Sequence, residues 1–321
     1  MENLYVGVDL GGTKIFTALA NKNGEILNEI VVKTEAEKGE KHIVDKIKHS
    51  IHHVMKECDK SQVKAIGLGS PGPLNIEKGL IAEPANLPFI NYPIVDELYK
   101  EFNINVHLDN DANVATLAEY MFGSGKNAKN MVYVTVSTGI GGGAILNGEI
   151  YRGSTSNALE VGHITVDTSG RRCGCGNLGC VEAMSSGTAI MKAAKDAISS
   201  RVDTSLRSYD NVTSKEVFIE ASKGDRVSKE IVENAMSYLG IAISNYANIL
   251  DPDIIVIGGG ITGAGDIVLN SINKEMSKRC LGTILRNCRV VKSDLGSKIG
   301  VLGAIALAIM ESENKQLCFR R

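Results

Sequence analysis

The sequence predicts a two-domain α/β protein, and three observations carry that expectation. β-like apolar runs alternate with helix-like runs across 321 residues, a length that allows about two domains with separate cores. The chain opens on a strand, a glycine-rich turn and a second strand. The same arrangement returns about half a chain later, which suggests two related domains.

In the first copy, Leu4-Tyr5-Val6-Gly7-Val8 is the apolar run, Asp9-Leu10-Gly11-Gly12-Thr13-Lys14 the turn region, and Ile15 to Ala20 the second run, closed by Asn23-Gly24. In the second copy the runs are Met131 to Val136 and Ala144 to Leu146. Ser137-Thr138-Gly139-Ile140-Gly141-Gly142-Gly143 lies between them and Asn147-Gly148 follows. Helical periodicity is expected over His42–Met55, Ala112–Phe122, Ala183–Ser199, Val227–Leu250 and Val301–Met310. Ile43, Ile47, Ile51 and Val54 give the first of these a buried stripe, with His49, His52 and His53 on its solvated side. The second hairpin sets the expected division: residues 1–112 as a small N-terminal domain completed by a C-terminal helix at 300–315, and 113–299 as a larger domain with a metal loop.

Composition excludes several classes. Hydrophobic residues at 43%, charged residues at 22% and a net charge of −2 give no electrostatic reason to expect nucleic acid or a membrane as partner. The N-terminus has no leader pattern and no stretch reaches the ~18 apolar residues of a membrane span, so the expected location is cytoplasmic. Of seven cysteines, three fall together as Cys173, Cys175 and Cys180. In a reducing compartment that clustering points to metal rather than disulfides.

Glycines after a buried strand let backbone N–H groups approach an anion, because no Cβ stands in the way. Gly11, Gly12 and Gly139 supply them, and Thr13 and Thr138 add hydroxyls at matching places. Either hairpin alone reads equally as a plain tight turn; two matched copies point to a phosphate clamp. Asp9 is placed to hold Mg²⁺, which the phosphates of ATP require. The G-x-G-x-x-G at Gly67 to Gly72 carries Pro71, and the glycines from Gly139 lead into a strand, so neither opens the helix a dinucleotide fingerprint needs. A third strand-to-glycine turn, Gly258-Gly259-Gly260, offers backbone for adenosine, with a packing turn as the plain alternative.

His163, Cys173, Cys175 and Cys180 provide one imidazole and three thiolates, a closed tetrahedral set for a structural zinc. Closing the loop on zinc draws Glu160 and Glu182 towards one locus, where carboxylates accept hydrogen bonds from a neutral polyol. His163 can hold the metal through one ring nitrogen and reach a hydroxyl with the other. Asp109-Asn110-Asp111-Ala112-Asn113 precedes a helix; it reads either as ordinary N-capping or as a site for Asp111 to take the proton of an attacking hydroxyl.

Together these residues resemble the ROK family of bacterial sugar kinases and repressors. The resemblance rests on Asp9 to Lys14, Asn110 to Asn113, Ser137 to Gly143, Glu160-Val161-Gly162-His163 and the cysteine segment Cys173 to Glu182. It implies an actin-like (ribonuclease H-like) two-domain fold that closes on sugar, a homodimer or homotetramer, and ATP-dependent phosphorylation of a hexose at its 6-hydroxyl. Asp111 is then the base. Asn110, Glu160, His163 and Glu182 hold the sugar with Gly72 and Asn86; Asp9, Gly11, Gly12, Thr13, Lys14, Thr138, Gly139 and Gly259 serve the nucleotide. Glucose is the first-choice acceptor, although the chain departs from the glucose-preferring pattern by having no Trp after Asn86-Leu87. N-acetylmannosamine, N-acetylglucosamine and fructose fit the same motifs, and a sugar-responsive regulator without activity is the rival from another class. Repressor members carry a helix-turn-helix before this region, and with Asp9 so early none is expected here.

Overall fold

In the computed structural model, which describes residues 2–318, alternation along the first strand decides what lies on each side of it. Leu4, Val6, Val8 and Leu10 of β1 (Leu4–Leu10) enter one core; Tyr5 enters another on the opposite face, and Gly7 and Asp9 share that face by the period of two. β2 (Lys14–Asn21) repeats this, with Ile15 and Leu19 on the first side and Phe16, Ala18 and Ala20 on the second. β3 (Ile26–Lys33) and β4 (Val63–Ser70) flank the pair, the small hairpin β5 (Leu74–Asn75) and β6 (Leu80–Ile81) follows, and β7 (Val106–Asn110) completes a sheet of order β3-β2-β1-β4-β7. The β1–β2 and β2–β3 pairs are antiparallel; β1–β4 and β4–β7 are parallel.

Helix α1 (Glu40–Val54) buries Ile43, Ile47, Ile51 and Val54 as its periodicity requires and leaves His49, His52 and His53 exposed. It packs on the first side with α2 (Ile94–Phe102), while α3 (Asp111–Met121) starts where β7 ends.

The second unit has the same plan. β8 (Met131–Val136), β9 (Ile140–Leu146) and β10 (Glu149–Ile150) are antiparallel neighbours, and β11 (Ile254–Gly258) and β12 (Arg289–Lys292) join parallel to β8, giving the order β10-β9-β8-β11-β12. The duplication legible in the turns therefore extends to both whole sheets. Helices α4 (Val181–Ser185), α5 (Gly187–Ser199), α6 (Ser214–Lys223), α7 (Arg226–Leu250), α8 (Ile267–Arg279) and α9 (Gly282–Asn287) belong to this unit, whose core joins β8 and β11 to Met236, Leu239 and Ile243 of α7. The single helix expected over Ala183–Ser199 is two, because Ser186 adopts an extended conformation and its hydroxyl caps α5 through Ala189 N.

The chain returns to the first unit with α10 (Ile299–Cys318), whose Val301, Ile305, Ala308 and Ile309 cover the second side of the first sheet. The units comprise Met1–Asn127, Arg152–Ala158 and Leu295–Arg321 on one hand and Ala128–Tyr151 and Leu159–Asp294 on the other. Residues beyond 112 stay with the first unit because Met121 and Phe122 pack into the core that α10 makes. No helix among the described residues is long and apolar enough to cross a membrane.

Candidate functional site

In the first unit, the β1–β2 turn is closed by Gly11 N donating to Lys14 O at 2.9 Å. Thr34, fully buried at the end of β3, donates its hydroxyl to Gly11 O at 2.6 Å and its amide to Thr13 O at 3.0 Å. These bonds occupy the turn carbonyls, which would otherwise repel a phosphate. Asn86 lies against this turn, its Cβ 3.2 Å from where a Cβ on Gly12 would stand.

Asp9 points at the first turn of α10, where only a glycine, Gly300, leaves room for its carboxylate. Burial pushes its carboxyl up to about 6 from 3.8, with Lys14 opposing and Asp111 adding to the rise. An acid raised in this way favours the folded protein below pH 3.8, and that advantage is lost as pH climbs through about 6. In ligand-free protein, Asp9→Asn should therefore gain stability relative to wild type across that window, by up to ~3 kcal/mol at neutral pH. Urea melts of both proteins at several pH values check this; a variant less stable than wild type at neutral pH contradicts it.

Asn110 caps α3, its Oδ1 accepting from Ala112 N at 2.9 Å, while its Nδ2 lies 3.4 Å from where a Cβ on Gly72 would stand. The plain capping role is thus present, and it fixes Asp111 as the first residue of the helix, exposed, with Oδ1 2.8 Å from Ala112 N. Asp109 anchors the segment from beneath. It is fully buried and accepts from Asn110 N at 2.8 Å, Asn113 Nδ2 at 2.8 Å and Arg152 Nε at 2.7 Å. Arg152 also reaches Glu311 at 3.1 Å. Removing the guanidinium strands a buried carboxylate, so Arg152→Met should destabilise the fold by about 3 kcal/mol. Asp109→Asn in the same chain should recover part of that loss, and a double-mutant cycle by chemical denaturation measures the coupling.

In the second unit, the turn Ser137–Gly139 is tied to α5 by Gly187 N donating to Ser137 O at 2.8 Å and Thr188 N to Thr138 O at 3.3 Å. Its carbonyls are therefore occupied as in the first hairpin. A cavity of about 840 Å³ opens beside it, lined by Thr138, Thr188, Met191, Lys215, Phe218 and Gly260 among others. Gly259, the residue before the lining Gly260, has φ 84, and any Cβ there would strike the backbone of Val136. The α6 wall of this cavity is not among the expected helices. Its cue is local: Thr213 and Glu216 form a capping box.

The cysteine segment folds so that the Sγ atoms of Cys173, Cys175 and Cys180 and a ring nitrogen of His163 lie within 4.8 Å of one another, a set able to hold a metal ion. Cys175 Sγ is 3.6 Å from Cys180 Sγ, and Cys173 Sγ is 3.6 Å from His163 Nδ1. The other ring nitrogen, Nε2, is 4.0 Å from exposed Glu160. Glu182 has one oxygen 3.9 Å from Cys173 Sγ and the other 2.9 Å from Ile140 N, so it belongs to the metal loop and the β9 start together. Two tyrosines of α7 brace the loop. The buried Tyr246 donates to Val161 O at 2.6 Å, and Tyr238 donates to Asp167 at 2.7 Å, holding that carboxyl below its usual range. Sequence reasoning did not single out either tyrosine or Arg152.

The first unit thus brings together Asp9, Gly11, Gly12, Thr13, Lys14, Asn86, Asn110, Gly72 and Asp111 around two strand ends, and the second brings Thr138, Gly139, Gly259, Glu182, Glu160 and His163 around its own turn and metal loop. Matched α/β units with glycine turns after the first strand define the actin-like class of fold. Within it, the chain belongs to the ROK family, whose sequence profile matches residues 5–311. A glucokinase of Halalkalibacterium halodurans is 37% identical over 94% of this chain and 94% of its own length. A putative xylose repressor of a Caldicellulosiruptor species is 32% identical over 96% of this chain and 78% of its own. Among solved structures, a ROK family glucokinase from Streptomyces griseus in complex with glucose and AMPPNP has a TM-score of 0.77 and 30% identity, covering 96% of this chain and 100% of the other.

Proposed function

We propose that this chain transfers the γ-phosphoryl group of ATP to the 6-hydroxyl of a hexose, glucose being the first acceptor to test. The observation that carries the reading is the cavity of about 840 Å³ that opens at the Ser137–Gly139 turn. It accepts a neutral purine nucleoside on Met191 and Phe218 and leaves the phosphates at a turn whose carbonyls are already bonded. Lys215 is the one cation among its described lining residues, which favours a nucleotide over polyphosphate as donor.

Asp111 accepts the proton of the sugar hydroxyl as that oxygen bonds to the γ-phosphorus and the bridge to the β-phosphate breaks, releasing ADP. Asn110, Glu160, His163 and Glu182 hold the sugar, with Gly72 and Asn86 lining its approach. Thr13, Lys14, Thr138 and the turn amides position the phosphates. Asp9 would hold Mg²⁺, which when bound would supply charge neutralisation on the transferred group. Zinc fits the four donors of the loop: with Zn–S near 2.3 Å, thiolates on a tetrahedron stand about 3.8 Å apart, close to the 3.6 Å between the Cys175 and Cys180 Sγ atoms, and all four donor atoms lie within 4.8 Å of one another. Four protein ligands leave no open position, so its role there is structural.

The similarity to a repressor keeps one rival, a sugar sensor that binds without turnover. A panel of glucose, N-acetylmannosamine, N-acetylglucosamine and fructose with ATP and Mg²⁺, read by ADP release and by calorimetry, separates the two. Sugar-dependent ADP release supports the kinase; sugar binding with none supports the sensor.

A further inference from the structure

Glu182 follows the last cysteine of the metal loop by two residues, yet one of its oxygens is spent elsewhere: Oε2 accepts the backbone N–H of Ile140 at 2.9 Å. That N–H lies at the start of β9. Its outer neighbour β10 pairs only with Ile145 and Leu146, so no strand among the described residues reaches the Ile140 end on that side. Glu182 takes the place a strand would fill. The fit is tight, since a Cβ on Gly139 would come within 2.5 Å of Glu182 Oε2 and one on Gly162 within 3.5 Å of Glu182 Cβ. On its other side the same carboxylate has Oε1 at 3.9 Å from Cys173 Sγ, and Val181 N, one residue earlier, donates to Ile164 O at 2.9 Å beside His163.

We propose that Glu182 is a positioning residue for the nucleotide turn: its carboxylate fastens Ile140, and with it Thr138 and Gly139, to the metal loop. The proposal rests on the nucleotide reading of the cavity. It goes further by joining two parts that sequence reasoning treated separately, the metal loop on the sugar side and the glycine turn on the phosphate side. Between Glu182 at Ile140 and α5 at Ser137 and Thr138, the turn is held from both ends. Loosening the Ile140 end lets the turn amides stray from the phosphates, and the loss of that order appears as weaker nucleotide binding even when no sugar is present.

The test measures binding of AMPPNP with Mg²⁺, without sugar, by calorimetry on the wild type, Glu182→Ala and Glu182→Gln, together with the zinc content of each. Glu182→Ala should weaken AMPPNP about tenfold, the effect of losing one charge-assisted hydrogen bond. Glu182→Gln retains a carbonyl oxygen for Ile140 N–H and should keep AMPPNP affinity within about threefold of wild type. Hydrogen exchange should show Ile140 N–H losing protection in Glu182→Ala while zinc stays at one per chain. If wild type and Glu182→Ala bind AMPPNP equally and Ile140 stays protected, the positioning role is wrong and the kinase reading stands. If the wild type binds no AMPPNP, both fall.

Discussion

Asp111→Asn should lower kcat by about two to four orders of magnitude, the usual contribution of a positioned general base. Sugar affinity should barely move, because the amide keeps the size of the side chain and a hydrogen-bonding oxygen. The fold around it should also survive. Asp109 and Asn110 carry bonds that anchor β7 to α3, and Arg152 secures Asp109 from below. Calorimetry with the sugar and single-turnover kinetics on the same preparation separate binding from chemistry. Wild-type turnover in the variant would reduce Asp111 to the opening residue of a helix.

Loss of the metal should be nearly as damaging, by a different route. Cys180→Ser, or exhaustive chelation, should remove about one zinc per chain. The loop then loses the tie between Cys180, at the start of α4, and His163, at the end of the Glu160–His163 segment. Glu160 and His163 lose their placement together, and sugar affinity should fall by about 10²-fold or more, as expected when two hydrogen bonds to a ligand are lost, one of them to a carboxylate. Tyr246 and Tyr238 still hold the loop to α7, so the second unit should remain folded with its core intact. Metal analysis, far-UV dichroism and sugar binding on one sample check the three parts. Normal sugar binding by metal-free protein would contradict the role given to the loop.

What was legible in the sequence was local. Gly11-Gly12-Thr13 and Ser137-Thr138-Gly139 announce turns because a strand ends before each, and both turns are present. His163, Cys173, Cys175 and Cys180 sit within eighteen residues, so their convergence needed only a loop that glycines allow. What the sequence hid depends on long-range packing. Arg152 meets Asp109 across 43 positions and Tyr246 meets Val161 across 85, and neither pair has a spacing that periodicity could expose. The break at Ser186 was masked by apolar residues that continue on both sides of it, although Ser186-Gly187 is itself a cap signal. Glu182 shows the limit most clearly. Its place beside the cysteines was readable, but its bond to Ile140 arises only when β9 and α4 pack.

The most direct test of the proposed activity is phosphorus NMR of the wild-type protein incubated with ATP, Mg²⁺ and glucose. Phosphoryl transfer predicts that the γ-phosphate signal declines as a sugar monophosphate signal rises in equal measure with ADP, only when sugar is present. Saturable glucose binding with the ATP signals unchanged, or inorganic phosphate as the sole new product, would contradict it.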